Sequence, residues 1–355
     1  MRHILSARPA PDTAAFPAAE DDTPWISFAR AAAGIEPDQG CAPGTAASTL
    51  REAWADRDTW DRAPQIDIGA GGLFAPGGLH PGAALQVPGP GQDAALLASS
   101  FVGITDSYTS GNPDGSGFNV QVDFRGDWDP ELKQAFIDAA DLLSEIITED
   151  IPDANLLGPG IFRPDSVDDV QITAVLTDID GPSGTLGQAG PRSFRLLDGF
   201  LPKTGRMEFD IADAEDYADA GLFDDLVFHE MMHVLGFGTL WTVLGLTRDR
   251  DDDTIDYVGQ NGRTAFNAEF GPGAVAVETS GGSGTAGRHW NEGGNDGFAF
   301  DREIMTGYLD NAGNYLSNTT IAALEDLGYE TVFDPSDPLN ATSGLDLSIF
   351  DTVIA

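Results

Sequence analysis

The 355-residue chain has a single cysteine, Cys41, and only two lysines, Lys133 and Lys203. One cysteine excludes an intramolecular disulfide. That absence favours a reducing compartment, although many proteins exported by bacteria also lack disulfides. Basic residues are scarce altogether: 18 stand against 58 acidic ones, for a formal net charge of −40. Such a surface repels phosphate backbones and anionic lipid, so nucleic acid and membrane are excluded as expected partners. It suits salt or divalent cations, which screen or neutralise carboxylates. No apolar run is long enough to span a bilayer. The stretch Met1–Glu20 carries Arg2 and Arg8, but Pro and Asp interrupt it before any apolar run of signal-peptide length. A secreted product would therefore leave without a cleaved N-terminal signal.

What the chain does have is 41% hydrophobic residues, enough for a substantial core. They are unevenly placed. Residues 1–96 are rich in Ala, Pro and Gly, and Gly69–Gly91 (GAGGLFAPGGLHPGAALQVPGPG) reads as turns and linker, with one short helix expected over Thr49–Trp60. This is an irregular leader and a candidate pro-segment. The regular part is expected over 97–330. Phe118–Phe124 (FNVQVDF) alternates as a strand does. Pro130 opens a helix to about Thr148, with Leu132, Phe136, Ala139, Leu142, Leu143 and Ile146 along one stripe. Val170–Leu176 and Met207–Ile211 read as further strands. Strands and helices in this order predict an α+β or α/β layer with one mostly mixed sheet, and α+β is the expected class. Residues 331–355 lose periodicity. Their ending, Leu345–Ala355 (LDLSIFDTVIA), is similar to uncleaved C-terminal signals of one-step bacterial export, and reads equally well as a last strand.

The chemistry concentrates in Leu222–Gly236 (LFDDLVFHEMMHVLG), which holds H-E-x-x-H at His229, Glu230 and His233. On a helix, residues i and i+4 lie one turn apart on one face, so both imidazoles reach a single ion. Glu230 projects beside them, placed to take a proton from an attacking water and pass it to the leaving amine. The helix is apolar almost all round, which predicts burial. Two histidines and a glutamate buried together are unfavourable unless something pairs them, and a metal does. Zinc needs a third protein ligand and an open fourth position. The short pattern H-E-x-x-H-x-x-G-x-x-H would place that ligand at 239, where Thr239 stands, while Gly236 keeps the helix-ending turn. His3 and His80 lie in the leader, so His289 is the expected third ligand. An acidic ligand, Glu269 or Glu278, is the alternative.

These residues carry a resemblance. His229–Trp241 (HEMMHVLGFGTLW), Arg288–Glu292 (RHWNE), Glu303–Leu309 (EIMTGYL) and Leu316–Tyr329 (LSNTTIAALEDLGY) together resemble the leishmanolysin family of metzincin zinc metallopeptidases. Gly184–Arg195 and Leu201–Ile211 are similar to its members as well, so the likeness runs from about Phe118 to Glu330. It implies a metzincin-like zincin: a mixed twisted sheet, a backing helix, and a central active-site helix. It implies one catalytic Zn2+ on His229, His233 and His289, with a long insertion before the third ligand, and Glu230 as general base. Met305 becomes the methionine of the turn beneath the metal, a packing role. Substrate would lie antiparallel to the sheet's edge strand, expected near Met207–Ile211. The family's latency thiol would be Cys41, although Gln39-Gly40-Cys41-Ala42 lacks the expected flanking residues. Tyr308 sits at the wrong offset from Met305 for the tyrosine that some metzincins place near zinc, and takes no role.

The expected function is endopeptidase action on protein or peptide substrates, in a secreted setting. The contrasting expectation is an extracellular adhesion or matrix-binding protein with a structural zinc, against which Glu230 argues, since a structural site needs no base. Ca2+ is a lesser expectation. Arg248–Asp256 (RDRDDDTID) and Thr177–Gly181 (TDIDG) offer carboxylates but match no EF-hand loop, and read better as solvated loops.

Overall fold

A computed structural model describes residues 103–155, 166–179, 186–195, 199–250, 253–281, 284–293, 298–310 and 313–350. Cys41, the Thr49–Trp60 helix and the rest of the leader lie outside them.

The molecule is α+β, built on a mixed five-stranded sheet. Strand β1 (Ile104–Thr109) pairs antiparallel with β2 (Val120–Arg125), as do two short strands, β3 (Ala154–Asn155) and β4 (Ser166–Val167), elsewhere. In β2, Val120, Val122 and Phe124 are buried on one face, as the alternation predicts. After β2 the chain turns into α1 (Pro130–Ile146). Asp129 caps this helix, accepting from Glu131 N at 2.9 Å, and Pro130 occupies its first turn. The predicted stripe is the buried face: Phe136 lies edge-on to Phe124, Trp128 and Phe209. The helix stops at Ile146, short of the expected Thr148. Ile147 is extended and bridges Thr331, and Thr148 N donates to Glu330 O at 2.9 Å.

The sheet continues with β5 (Val170–Thr177), parallel to β2, then β7 (Pro202–Asp210), parallel to β5. Beyond β7 lies β6 (Gly187–Phe194), antiparallel to it, giving the order β1-β2-β5-β7-β6. This corrects the expected edge: Met207–Asp210 is flanked on both sides, and the edge strands are β1 and, next to β7, β6. Ile211 falls outside β7 and is exposed.

A short helix, α2 (Ala214–Asp219), leads to α3 (Phe223–Val234), which crosses β7 and β6. The crossing is close at Gly205, where a Cβ would stand 2.2 Å from Val234 Cγ1. Next come α4 (Trp241–Leu244) and a small antiparallel sheet ordered β10-β9-β8, from β8 (Thr247–Asp249), β9 (Ile255–Tyr257) and β10 (Val275–Val277). Helices α5 (Gln260–Glu269) and α6 (Asn318–Leu327) cap each other. Asp326 near the end of α6 accepts from Asn261 N and Gly262 N, and Glu269 at the end of α5 accepts from Asn318 N and Thr319 N.

Residues 331–350 do not form a separate tail. Val332 N donates to Ile146 O, and Phe333, Ala341 and Phe350 are buried. Phe350 packs edge-on against Phe228 of α3 at 5.1 Å. Leu345, Leu347 and Ile349 pack partly buried against the core beside Phe350, and Leu345–Phe350 includes a 3-10 turn, Ser348–Phe350, with no strand; residues 351–355 lie outside the described set. No helix among the described residues is long and apolar enough to cross a membrane.

Candidate metal centre

Helix α3 is buried on every side, as its sequence predicts, and presents His229 and His233 one turn apart. It ends at Leu235, and Gly236 (φ 103°) turns the chain. Tyr329 fixes this end by donating to Leu235 O at 2.9 Å. Thr239, which stands where the short pattern would put a ligand, instead donates Oγ1 to His233 O at 3.1 Å.

His289 arrives from the insertion. Its carbonyl accepts from Glu278 N at 2.9 Å, and Asn291 N donates to Ala276 O, so the segment extends the edge of β10. On its other side Trp290 N donates to Met305 O at 3.0 Å. Gly238 (φ 66°) permits the approach of this segment to the end of α3: a Cβ there would lie 1.9 Å from Arg288 O. Trp290, next to His289 in the chain, joins Trp241, Tyr257 and Phe300 in one aromatic cluster.

The three imidazoles converge. His229 Nε2 lies 3.0 Å from His233 Nε2 and 3.1 Å from His289 Nε2, and the last two are 3.0 Å apart. Each Nδ1 faces a backbone carbonyl: His229 with Ile304 O (2.7 Å), His233 with Phe237 O (3.0 Å), His289 with Thr285 O (3.0 Å). A carbonyl only accepts, so each Nδ1 carries the proton and each Nε2 is a bare lone pair. Three lone pairs aimed at one another cannot hydrogen-bond among themselves. A cation satisfies all three at once, and ligands at 2.0–2.1 Å around a four-coordinate ion stand about 3.3 Å apart. The donor set therefore fits zinc.

Burial shapes the ionisation as well. It holds His229 down at about 4 and His289 at about 3, with His229 adding repulsion to the latter, and His233 falls well below its ordinary value. All three are neutral, as ligands must be. Glu230, 2% exposed, has its carboxyl pushed up to about 8 by burial alone. A divalent charge nearby lowers it again.

The chain matches no protein-family model and no curated protein. The geometry must therefore discriminate among the candidate ligands by itself. Glu278 is occupied by Thr279 N, Ser280 N and Glu292 N. Glu269 is occupied in capping α6. Neither joins the histidine cluster. Met305 is fully buried, and its segment meets the site through backbone, by Ile304 O to His229 and Met305 O to Trp290. Of the calcium candidates, Asp256 faces Arg250 at 3.3 Å and Arg248 at 3.8 Å, while residues 251 and 252 lie outside the described set. Of Thr177–Gly181, residues 180 and 181 also lie outside. A further acidic group, Asp150, Asp168 and Asp169, gathers carboxylates, but both oxygens of Asp169 accept backbone N–H groups, from Ile151 and Asn119.

The sequence reading missed Gly205, Gly238 and the three carbonyls that set the tautomers. A glycine can be flagged from sequence, but its close partner cannot. Backbone acceptors carry no residue signature at all.

Proposed function

We propose that this chain is a zinc-dependent endopeptidase of the leishmanolysin kind, acting on protein or peptide substrates outside the cell. The observation that carries the proposal is the convergence of three bare Nε2 atoms beside a buried glutamate on the same helix. His229, His233 and His289 would hold the metal, each fixed in the ligand tautomer by its carbonyl partner. Zinc, when bound, supplies Lewis acidity for the scissile carbonyl and acidifies water.

The protein's own groups do the rest. Glu230 accepts a proton on its carboxylate from the attacking water and delivers it to the leaving nitrogen, so its ionised form begins each cycle. The α3–Gly236 turn and the 285–290 segment keep the three ligands on rigid backbone. Strand β6, at the sheet's edge beside α3, offers main-chain groups for an extended peptide.

The test pairs metal content by mass spectrometry on wild type and His289→Ala with casein release by wild type and Glu230→Ala. One zinc per chain, weakened in the histidine variant, with activity lost but zinc kept in the glutamate variant, is the expected result. Zinc without hydrolysis in the full chain would turn the reading towards a binding protein with a structural metal. No zinc would refute it.

A further inference from the structure

Glu303 is a fully buried carboxylate to which the proposed mechanism gives no part. Its Oε1 accepts from Ser317 N (3.1 Å), Ser317 Oγ (2.8 Å) and Thr320 Oγ1, at the start of α6. Its Oε2 accepts from Met305 N at 2.7 Å. That N–H belongs to the peptide group joining Ile304 to Met305. The carbonyl of the same peptide group, Ile304 O, accepts from His229 Nδ1 at 2.7 Å. The neighbouring peptide is fixed too, with Ile304 N donating to Tyr315 O at 2.8 Å.

We infer that Glu303 is a positioning residue for the metal site, acting on His229 through the 304–305 peptide group. The chain of contacts runs carboxylate, peptide N–H, peptide C=O, imidazole Nδ1–H, with the bare Nε2 at its far end. A carboxylate on the N–H side of an amide draws the amide's polarisation towards greater negative charge on its oxygen. That strengthens the bond to Nδ1–H, locks the tautomer and makes Nε2 a better donor. A carboxylate bonded directly to a ligand histidine does the same through one contact fewer.

This inference rests on the proposed zinc site, and its test separates the two. In Glu303→Gln the side chain keeps its size but has one acceptor oxygen. Either Met305 N–H or the Ser317 and Thr320 donors must then face an NH2 group. Ser317→Ala is the control, since it loses part of the α6 cap yet leaves the Glu303–Met305 bond in place. Zinc dissociation constants by chelator competition, and the 15N spectra of the imidazoles in chelator-treated protein, are measured on the full chain for wild type and both variants. Glu303→Gln is expected to bind zinc ~10–100-fold more weakly. Its metal-free His229 should lose the single Nδ1–H signature. Ser317→Ala should keep both, whatever its loss in Tm. Unchanged affinity and tautomer in Glu303→Gln, or equal changes in Ser317→Ala, would overturn the inference. A wild type that binds no zinc refutes the peptidase reading instead, and the metal-free tautomer still decides the role of Glu303. Should Glu303→Gln not fold, Glu303→Asp, one methylene too short to span both sets of donors, reads the same two quantities.

Discussion

Two glycines with nearly the same φ provide a sharp measure of how His289 is brought to α3. Gly238 has φ 66° and Gly245 has φ 70°. Placing alanine at either costs about 1–2 kcal/mol, because an L side chain disfavours the left-handed region. There the likeness ends. A Cβ at 245 meets nothing within 4 Å, whereas at 238 it stands 1.9 Å from Arg288 O, 2.7 Å from Arg288 C and 3.0 Å from Arg288 Cα. All three are backbone atoms, so no side-chain rotation relieves the overlap, and the 288–289 segment must move by about 1.5 Å to restore ordinary contact at 3.4 Å. Overpacking of that kind adds about 1–3 kcal/mol. Gly238→Ala should therefore lose about 2–5 kcal/mol in urea unfolding of the metal-free protein, and Gly245→Ala only about 1–2. A ~1.5 Å shift at Arg288 carries His289 with it, and losing the support that orients a metal ligand costs ~10–100-fold in metal affinity. Zinc affinity should drop by that factor in Gly238→Ala and stay within about twofold in Gly245→Ala. Equal losses in the two variants would refute the claim that the 238–288 approach sets the third ligand.

Two further perturbations probe the supports of α3. Asp225 is fully buried, with Oδ2 accepting from Asn314 Nδ2 at 2.7 Å, and burial pushes its carboxyl up to about 7. Below its unfolded pKa near 3.8 the group costs nothing; as pH rises, the unfolded chain ionises first and folding is penalised, up to about pH 7. Asp225→Asn cannot ionise, so its stability relative to wild type should improve by about 3 kcal/mol between pH 5 and pH 8 in urea unfolding. A pH-independent difference would rule this out. Phe350→Ala removes the ring packed on Phe228 and should cost about 3–5 kcal/mol. A loss under 0.5 kcal/mol in the same assay would mean that residues 331–350 are not part of the folded unit.

The parts of the fold that could be read from the sequence are those where one element's own residues decide. Helix α1 shows its stripe and its Pro130 start, and α3 shows its burial by being apolar all round. The edge strand could not be read that way. Gly187, Gly190 and Pro191 give β6 no strand pattern, while Met207–Ile211 does alternate and reads as the edge. Sheet order depends on which neighbour pairs with which, and a strand's own side chains do not record it. The same distinction divides the site. His229, Glu230 and His233 are fixed by helical spacing. His289 could be named by elimination among the histidines, but the approach that brings it to α3 shows only in Gly238 and the β10 edge. The end of α1 is a third case: Ile147 extends because Thr331, far along the chain, offers it a partner.

The buried ionisation of the centre makes one more quantity measurable, the number of protons released when zinc binds. Histidines with an ordinary pKa near 6.5 would be mostly protonated at pH 5–6, and three such ligands would release nearly three protons on binding. Here His229 and His289 are held at about 4 and about 3, and His233 well down, so all three are neutral at pH 5 and release almost none. Their depressed values contribute stability present above pH 6.5 and lost as pH falls towards 4, because the unfolded chain takes up the protons first. Glu230 behaves oppositely. Pushed up to about 8, it carries a proton in the metal-free protein across this range, and adjacent divalent charge expels it. The logarithm of the zinc affinity should thus rise with a slope of about one per pH unit between pH 5 and 6.5 in wild type, and about zero in Glu230→Gln. A slope near three would mean that the imidazoles are solvated and unconverged before metal arrives. A slope of one that survives Glu230→Gln would remove Glu230 as the group whose proton the metal displaces, and with it the argument that this carboxylate is made ready as a base by metal binding.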